Sequence, residues 1–239
     1  MAAPEKSIRV VKDRDEVVAQ LADLIKQVSD EKTASQGVFN IGVSGGSLVG
    51  FLKEGLPKIQ TDFSNWRVFF CDERVVPEDS PDSTFGQYKQ HLVGRVGLKE
   101  NQFVRIKEGI SADAAAEDYS RQMARHFPQG ALPKFDMLLL GMGPDGHTCS
   151  LFPGHKLLEE KDKWVAAITD SPKPPPSRIT LTFPVINNAL YCVFAACGKE
   201  KADMVKRILV DEEDLPATRV RASGSTVWIL DREAGQAKL

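Results

Sequence analysis

The chain has 239 residues, 42% of them hydrophobic and 27% charged, and a formal net charge of −2. These figures fit one globular domain over residues 1–239, near the upper size that a single hydrophobic core supports. They exclude a global basic field that would draw the chain onto nucleic acid, so an anionic ligand must be held by a local group of cations and backbone N–H groups.

Short apolar runs alternate with amphipathic ones along the chain. Residues 1–11 carry Glu5, Lys6 and Arg9 and lack the apolar segment of a secretory signal. Within them, residues 8–11 read as an edge strand. Residues 13–29 follow as a helix, with Val17, Val18, Leu21, Leu24, Ile25 and Val28 at helical spacing. Residues 38–43 form a strand, 48–56 a helix, 68–71 a strand and 83–96 a helix. Residues 112–127 form a further helix, with Asp113, Glu117 and Asp118 favourable near its N-terminus. The run 135–140 is continuously apolar apart from Asp136 and closes on Gly141, as expected of a strand buried on both faces. Segment 171–176 holds four prolines and is a rigid loop, either a plain linker or the wall of a site. Further strands fall at 164–169, 178–182, 190–196 and 226–230, with a helix over 199–209 and a frayed tail over 233–239. The alternation predicts an α/β fold: a mostly parallel sheet with helices on both faces.

No apolar run approaches the roughly 20 residues of a membrane helix. Cys71, Cys192 and Cys197 lie in apolar runs and read as reduced, buried small hydrophobes, which points to a cytoplasmic protein. The four histidines are scattered without metal-ligand spacing, and the cysteines form no zinc pattern, so no bound metal is expected.

Three polar motifs sit at the carboxyl ends of predicted strands, where open α/β sheets bind ligands. Ser44, Gly45, Gly46 and Ser47 join a strand to a helix. Glycines there allow close backbone approach, and the helix start offers free N–H groups, which suits an anion. The same stretch fits G-x-S-x-G with Ser44 as nucleophile, but that motif expects a later histidine and none follows His155. Asp72, Glu73 and Arg74 end the strand before them, offering a carboxylate to orient a base and a guanidinium to steady an anion. Gly141, Gly143 and Gly146 match a dinucleotide fingerprint literally. Asp145 between the glycines would repel a pyrophosphate, however, and Pro153-Gly154 leaves no room for the long helix that should follow. What remains is a tight loop that presents Asp145 and His147, the residue type best suited to move protons near neutral pH.

These residues carry a family resemblance. Ser44 to Ser47, then Asp72-Glu73-Arg74-Val75-Val76-Pro77, then the block from Gly141 through His147-Thr148-Cys149 to Gly154 resemble the 6-phosphogluconolactonase family, as do Pro176-Ser177-Arg178-Ile179-Thr180 and Gly198-Lys199-Glu200-Lys201-Ala202. The resemblance runs in order over nearly the whole chain. It implies membership of a wider superfamily that includes glucosamine-6-phosphate deaminase, ribose-5-phosphate isomerase and CoA transferases, whose members share a Rossmann-like, mostly parallel sheet with helices on both faces. It implies cofactor-free hydrolysis of a phosphorylated sugar lactone in the oxidative pentose phosphate pathway. His147 would be the general base, Asp72 and Arg74 would line the site, and Ser44 to Ser47, Arg178 and Lys201 would hold the phosphate. Two residues depart from the family's usual pattern: Thr84 stands where Asn is common, and Cys149 where Ala is frequent.

On this reading water attacks the lactone carbonyl directly, Arg74 steadies the oxyanion, and either Asp72 or Asp145 orients the imidazole. Three rivals differ in what they require: a covalent acyl group on Ser44, proton abstraction from carbon by an isomerase or deaminase of the same fold, or binding without turnover by a sugar-phosphate sensor. The expected partner is a small phosphosugar lactone, with no nucleic acid, membrane or obligate protein partner.

Overall fold

The computed structural model describes residues 5–236. Its first strand, β1 (Glu5–Val11), leads into helix α1 (Arg14–Gln36). Asp13 caps α1 by accepting from the Glu16 N–H, and Gly37 ends it at φ 78°, a left-handed conformation open to a residue without Cβ. The predicted apolar stripe of α1 is buried. The helix runs one and a half to two turns past the predicted end because Glu31, Lys32, Ala34 and Gln36 favour helix while presenting no apolar stripe.

The remaining elements follow in chain order. They are β2 (Phe39–Val43), α2 (Ser47–Gly55), β3 (Trp66–Phe70), β4 (Asp72–Arg74), α3 (Thr84–His91), α4 (Ala112–Ala124) and β5 (Met137–Leu140). Then come β6 (Val165–Ile168), β7 (Arg178–Leu181), α5 (Phe183–Asn188), β8 (Tyr191–Ala196), α6 (Ala202–Leu209) and β9 (Ser225–Asp231). Six strands form one fully parallel sheet in the order β1-β9-β8-β5-β2-β3. Its middle is dry: every residue of β2 and β5 is buried. Because β2 pairs with β3 on one side and β5 on the other, the sheet's winding reverses there. A crevice opens beyond the carboxyl ends of β2 and β5.

The structure corrects the prediction in several places. Strands β4, β6 and β7 do not extend the parallel sheet; they form a second, antiparallel one in the order β4-β7-β6. The predicted strand 68–71 with its polar end is therefore two strands hinged at Cys71. The Cys71 N–H donates to Val43 O at 2.8 Å in the large sheet, and its carbonyl accepts from the Leu181 N–H at 2.8 Å in the small one. Helix α3 stops at His91 rather than 96, where Gly94 and Gly97 at φ 71° and 85° turn the chain back. The six residues of α5 are too short to show a helical period. The predicted helix 199–209 begins as a 3₁₀ turn, Lys199–Lys201, before α6. The tail is ordered at its start: Ala234 is fully buried and its N–H donates to Asp231 at 2.8 Å, while residues 237–239 lie outside the described residues. No described helix is long and apolar enough to cross a membrane.

Candidate active site

The crevice between β2 and β5 narrows into a cavity of about 210 Å³. Ser44, Gly45, Gly46, Ser47, Asp72, Arg74, His147, Arg178 and Lys201 all line it. Of the site residues named from sequence, Asp145 alone is set back, behind the imidazole.

The side of the cavity expected to hold an anion starts where β2 ends. Gly46, at φ 71° and ψ −139°, takes a turn that a side chain would resist, and α2 begins at the next residue. Helix α3 supports this loop from below. The Tyr88 hydroxyl donates to Ser44 O at 2.8 Å, and the Thr84 side chain lies so close that a Cβ at Gly45 would meet its hydroxyl at 3.2 Å. Thr84 thus packs under the loop rather than lining the cavity. The Ser44 hydroxyl is buried and has no hydrogen-bond partner among the described residues.

Three cations join this loop. In the small sheet's register Arg74 stands directly opposite Arg178. Like charges paired across strands repel, so this pairing suits a dianion placed between them. Arg178 is 4% exposed, and burial first, then Arg74, pushes its guanidinium's pKa down from the usual value. It is held by the proline-rich loop: Nε donates to Pro175 O at 2.9 Å, and one terminal nitrogen donates to Lys173 O at 2.9 Å and Pro174 O at 3.1 Å. Segment 171–176 is therefore more than a plain linker: it braces Arg178 from behind, although none of its residues lines the cavity. Arg74 donates from one terminal nitrogen to Asp82 O at 2.9 Å, while its Nε is buried without a partner among the described residues. Lys201, at the start of α6, donates to Met142 O at 3.1 Å.

The opposite side carries the histidine. Beyond β5 the chain makes a tight turn: the Gly143 N–H donates to His147 O at 2.9 Å, and Gly146 sits at φ 78°. The turn folds His147 back so that its Nδ1 meets the Asp145 carboxylate. The ring lies on Phe152 with centroids 4.6 Å apart. Nε2 has no hydrogen-bond partner among the described residues. Burial pushes the imidazole's pKa below its usual value, against the Asp145 hydrogen bond and charge, which push it up. The Asp145 carboxyl feels its own partial burial, but the His147 hydrogen bond and charge bring it below the usual carboxylate range. Asp72 accepts from the Ser150 hydroxyl at 2.8 Å, and Ser150 in turn accepts from Arg178 at 3.4 Å. So of the two carboxylates left open by the sequence, Asp145 contacts the imidazole and Asp72 joins the cationic side.

The chain was then compared with known proteins. The family described as glucosamine-6-phosphate isomerases/6-phosphogluconolactonase matches residues 12–228. The chain belongs to that family. Within it, the 6-phosphogluconolactonase of Rattus norvegicus is 45% identical, over 99% of this chain and 95% of its own. The Homo sapiens 6-phosphogluconolactonase is 44% identical over the same shares. Among solved structures, the 6-phosphogluconolactonase of Thermotoga maritima superposes with a TM-score of 0.84 at 28% identity, covering 95% of this chain and all of that one.

Two features of this family member escaped the sequence reading. Glu73 alternates away from Asp72 and Arg74 along β4. Its buried carboxylate accepts from the backbone N–H groups of Arg74, Thr84 and Phe85, each at 2.8 Å, and so pins the start of α3 to β4. Burial pushes its pKa up to about 7 against these donors. Lys173 reaches the Asp145–His147 pair from the proline-rich loop. His155, whose role the sequence left open, caps the 3₁₀ turn Lys156–Glu159 through Nδ1 and contacts Asp170 at 3.1 Å through Nε2. Among the described residues all four cysteines are free; Cys71 and Cys192 are buried as expected of small hydrophobes, Cys149 is buried as well, and Cys197, expected to be buried with them, is only half-buried.

Proposed function

We propose that this chain hydrolyses 6-phospho-D-glucono-1,5-lactone to 6-phospho-D-gluconate, the lactone-opening step of the oxidative pentose phosphate pathway, in a cytoplasmic compartment. The observation that carries this reading is the single cavity with a cationic cradle at one end and an imidazole–carboxylate pair at the other. The phosphate is held by the backbone around Ser44, Gly45, Gly46 and Ser47, by Arg178 and by Lys201. This grip lies far from the reacting carbon and supplies binding energy that orients the lactone ring.

Chemistry then falls to His147. Asp145 accepts a hydrogen bond from Nδ1–H, which fixes the tautomer and leaves the Nε2 lone pair free as base. Water adds through its oxygen to the lactone carbonyl as Nε2 takes one of its protons. The resulting imidazolium returns that proton to the ring oxygen as the carbon–oxygen bond breaks. Proton transfer of this kind contributes roughly 10²–10⁴-fold. Arg74 steadies the oxyanion, a contribution of about 3–4 kcal/mol where the donor is prepositioned. Asp72 helps hold the cationic side through Ser150. A Ser44 nucleophile is disfavoured because its hydroxyl touches no base.

Replacing His147 by Asn preserves shape and removes the base. With fresh lactone and a control for spontaneous opening, kcat is expected to fall by at least about 100-fold with KM little changed, whereas Lys201→Ala mainly raises KM. A His147→Asn enzyme with near-normal kcat, or phosphonylation of Ser44 by a fluorophosphonate, would overturn the water mechanism.

A further inference from the structure

The proline-rich loop brings a second cation to the base. Lys173 Nζ lies 3.4 Å from Asp145 Oδ1 and 3.4 Å from His147 Nδ1. Its own backbone carbonyl accepts from Arg178 at 2.9 Å. One residue therefore contacts groups at both ends of the cavity, its main chain meeting Arg178 on the cationic side and its side chain meeting the Asp145–His147 pair. We propose that Lys173 is a positioning residue for the hydrolysis: its ammonium shares the Asp145 carboxylate with His147 and keeps the imidazole neutral and correctly turned. This rests on His147 being the base.

The physical argument is one of competing charges. Asp145 alone would draw a second proton onto the ring and favour the imidazolium, which cannot accept a proton from water. A cation on the same carboxylate oxygen weakens that pull and repels the imidazolium directly. The other groups facing the ring are Asp72 from β4, which favours the charged form, and the Phe152 ring, on which the imidazole lies. Arg74, Arg178 and Lys201 share the cavity with it. Lys173 acts in the same direction as burial, so the two together offset the two carboxylates. The loop's prolines limit backbone freedom, which holds the lysine near the pair.

Lys173→Met removes the ammonium while keeping the backbone carbonyl that serves Arg178; Lys173→Arg keeps a cation. The acid limb of the kcat/KM profile between pH 5 and 8 reads the free enzyme's base. In Lys173→Met this limb is expected to move up by about one pH unit, the low end for a neighbouring charge because Lys173 is partly exposed. Activity then falls several-fold near pH 6 and is kept near pH 8, while Lys173→Arg stays close to wild type. ¹⁵N chemical shifts of the His147 ring, followed with pH, read the same titration without turnover and apply even if a variant is poorly active. An unmoved limb and titration in Lys173→Met, or equal shifts in both variants, would overturn the proposal while leaving His147 as base. A wild-type profile with no acid limb would remove the base assignment and this proposal together.

Discussion

Gly143→Ala tests how closely the base must be placed. Gly143 is not among the residues at positive φ, so its backbone accepts alanine without strain, and its N–H still donates to His147 O at 2.9 Å. The added methyl, however, would overlap the His147 ring at both Nδ1 and Cε1. The main chain on either side is fixed by the turn, so the imidazole must swing away and lose its bond to Asp145 and its place on Phe152. The charge-assisted hydrogen bond contributes about 1.5–3 kcal/mol. Alanine offsets about 0.4–1 kcal/mol of that by restricting the unfolded chain. A net loss of about 1–2 kcal/mol lowers the melting temperature by only roughly 2–8 °C in a domain of this size. Catalysis should suffer far more, since a misplacement of about 1 Å costs on the order of 10² in rate. The assay is acid release in a pH-stat with fresh lactone, corrected for spontaneous opening, alongside a thermal melt. A folded variant with kcat within about 3-fold of wild type, or one whose loss lies wholly in KM, would refute the reasoning.

Ser44→Ala should separate binding from stability. The hydroxyl is buried without a partner among the described residues, so its removal is expected to leave the melting temperature unchanged or slightly raised, while KM rises about 10–100-fold for loss of one hydrogen bond to the charged phosphate. Steady-state kinetics and a melt on the same sample check both halves. Glu73 supplies a pH signature. Its carboxyl is pushed up from the ordinary 4.5 to about 7, so between those values the folded chain binds a proton that the unfolded chain releases. Stability from this group is therefore fully present below the ordinary value and is lost as pH rises toward 7, by about 3 kcal/mol at most. The difference between wild-type and Glu73→Gln melts across pH 4.5–8 should fall along that window; a flat difference would contradict it.

Much of the site was legible because its residues are close in sequence and chemically distinctive. Gly46 and Ser47 mark a helix start, and Asp145 and His147 share one turn. The buried run that ends in Leu138, Leu139 and Leu140 announces a central strand by composition alone. The parts that were missed depend on contacts far apart in the chain. Nothing near Arg74 reveals that it stands opposite Arg178, because strand pairing across 100 residues leaves no local pattern. Glu73 looks like the middle of an exposed polar triplet until α3 covers it. Lys173 sits in a segment whose prolines signal rigidity but not direction. The second sheet was read as part of the first because a short strand carries no mark of whether its partner runs parallel or antiparallel.

The hinge at Cys71 divides the molecule's labour. Ser44 to Ser47, Lys201 and the Asp145–His147 turn belong to the large sheet, whereas Asp72, Arg74 and Arg178 belong to the small one. On the proposed function, a phosphorylated lactone spanning the cavity would touch both at once and act as a bolt across the seam. Part of its binding free energy then appears as resistance of the small sheet to local opening, which joins substrate recognition to the cohesion of the two layers.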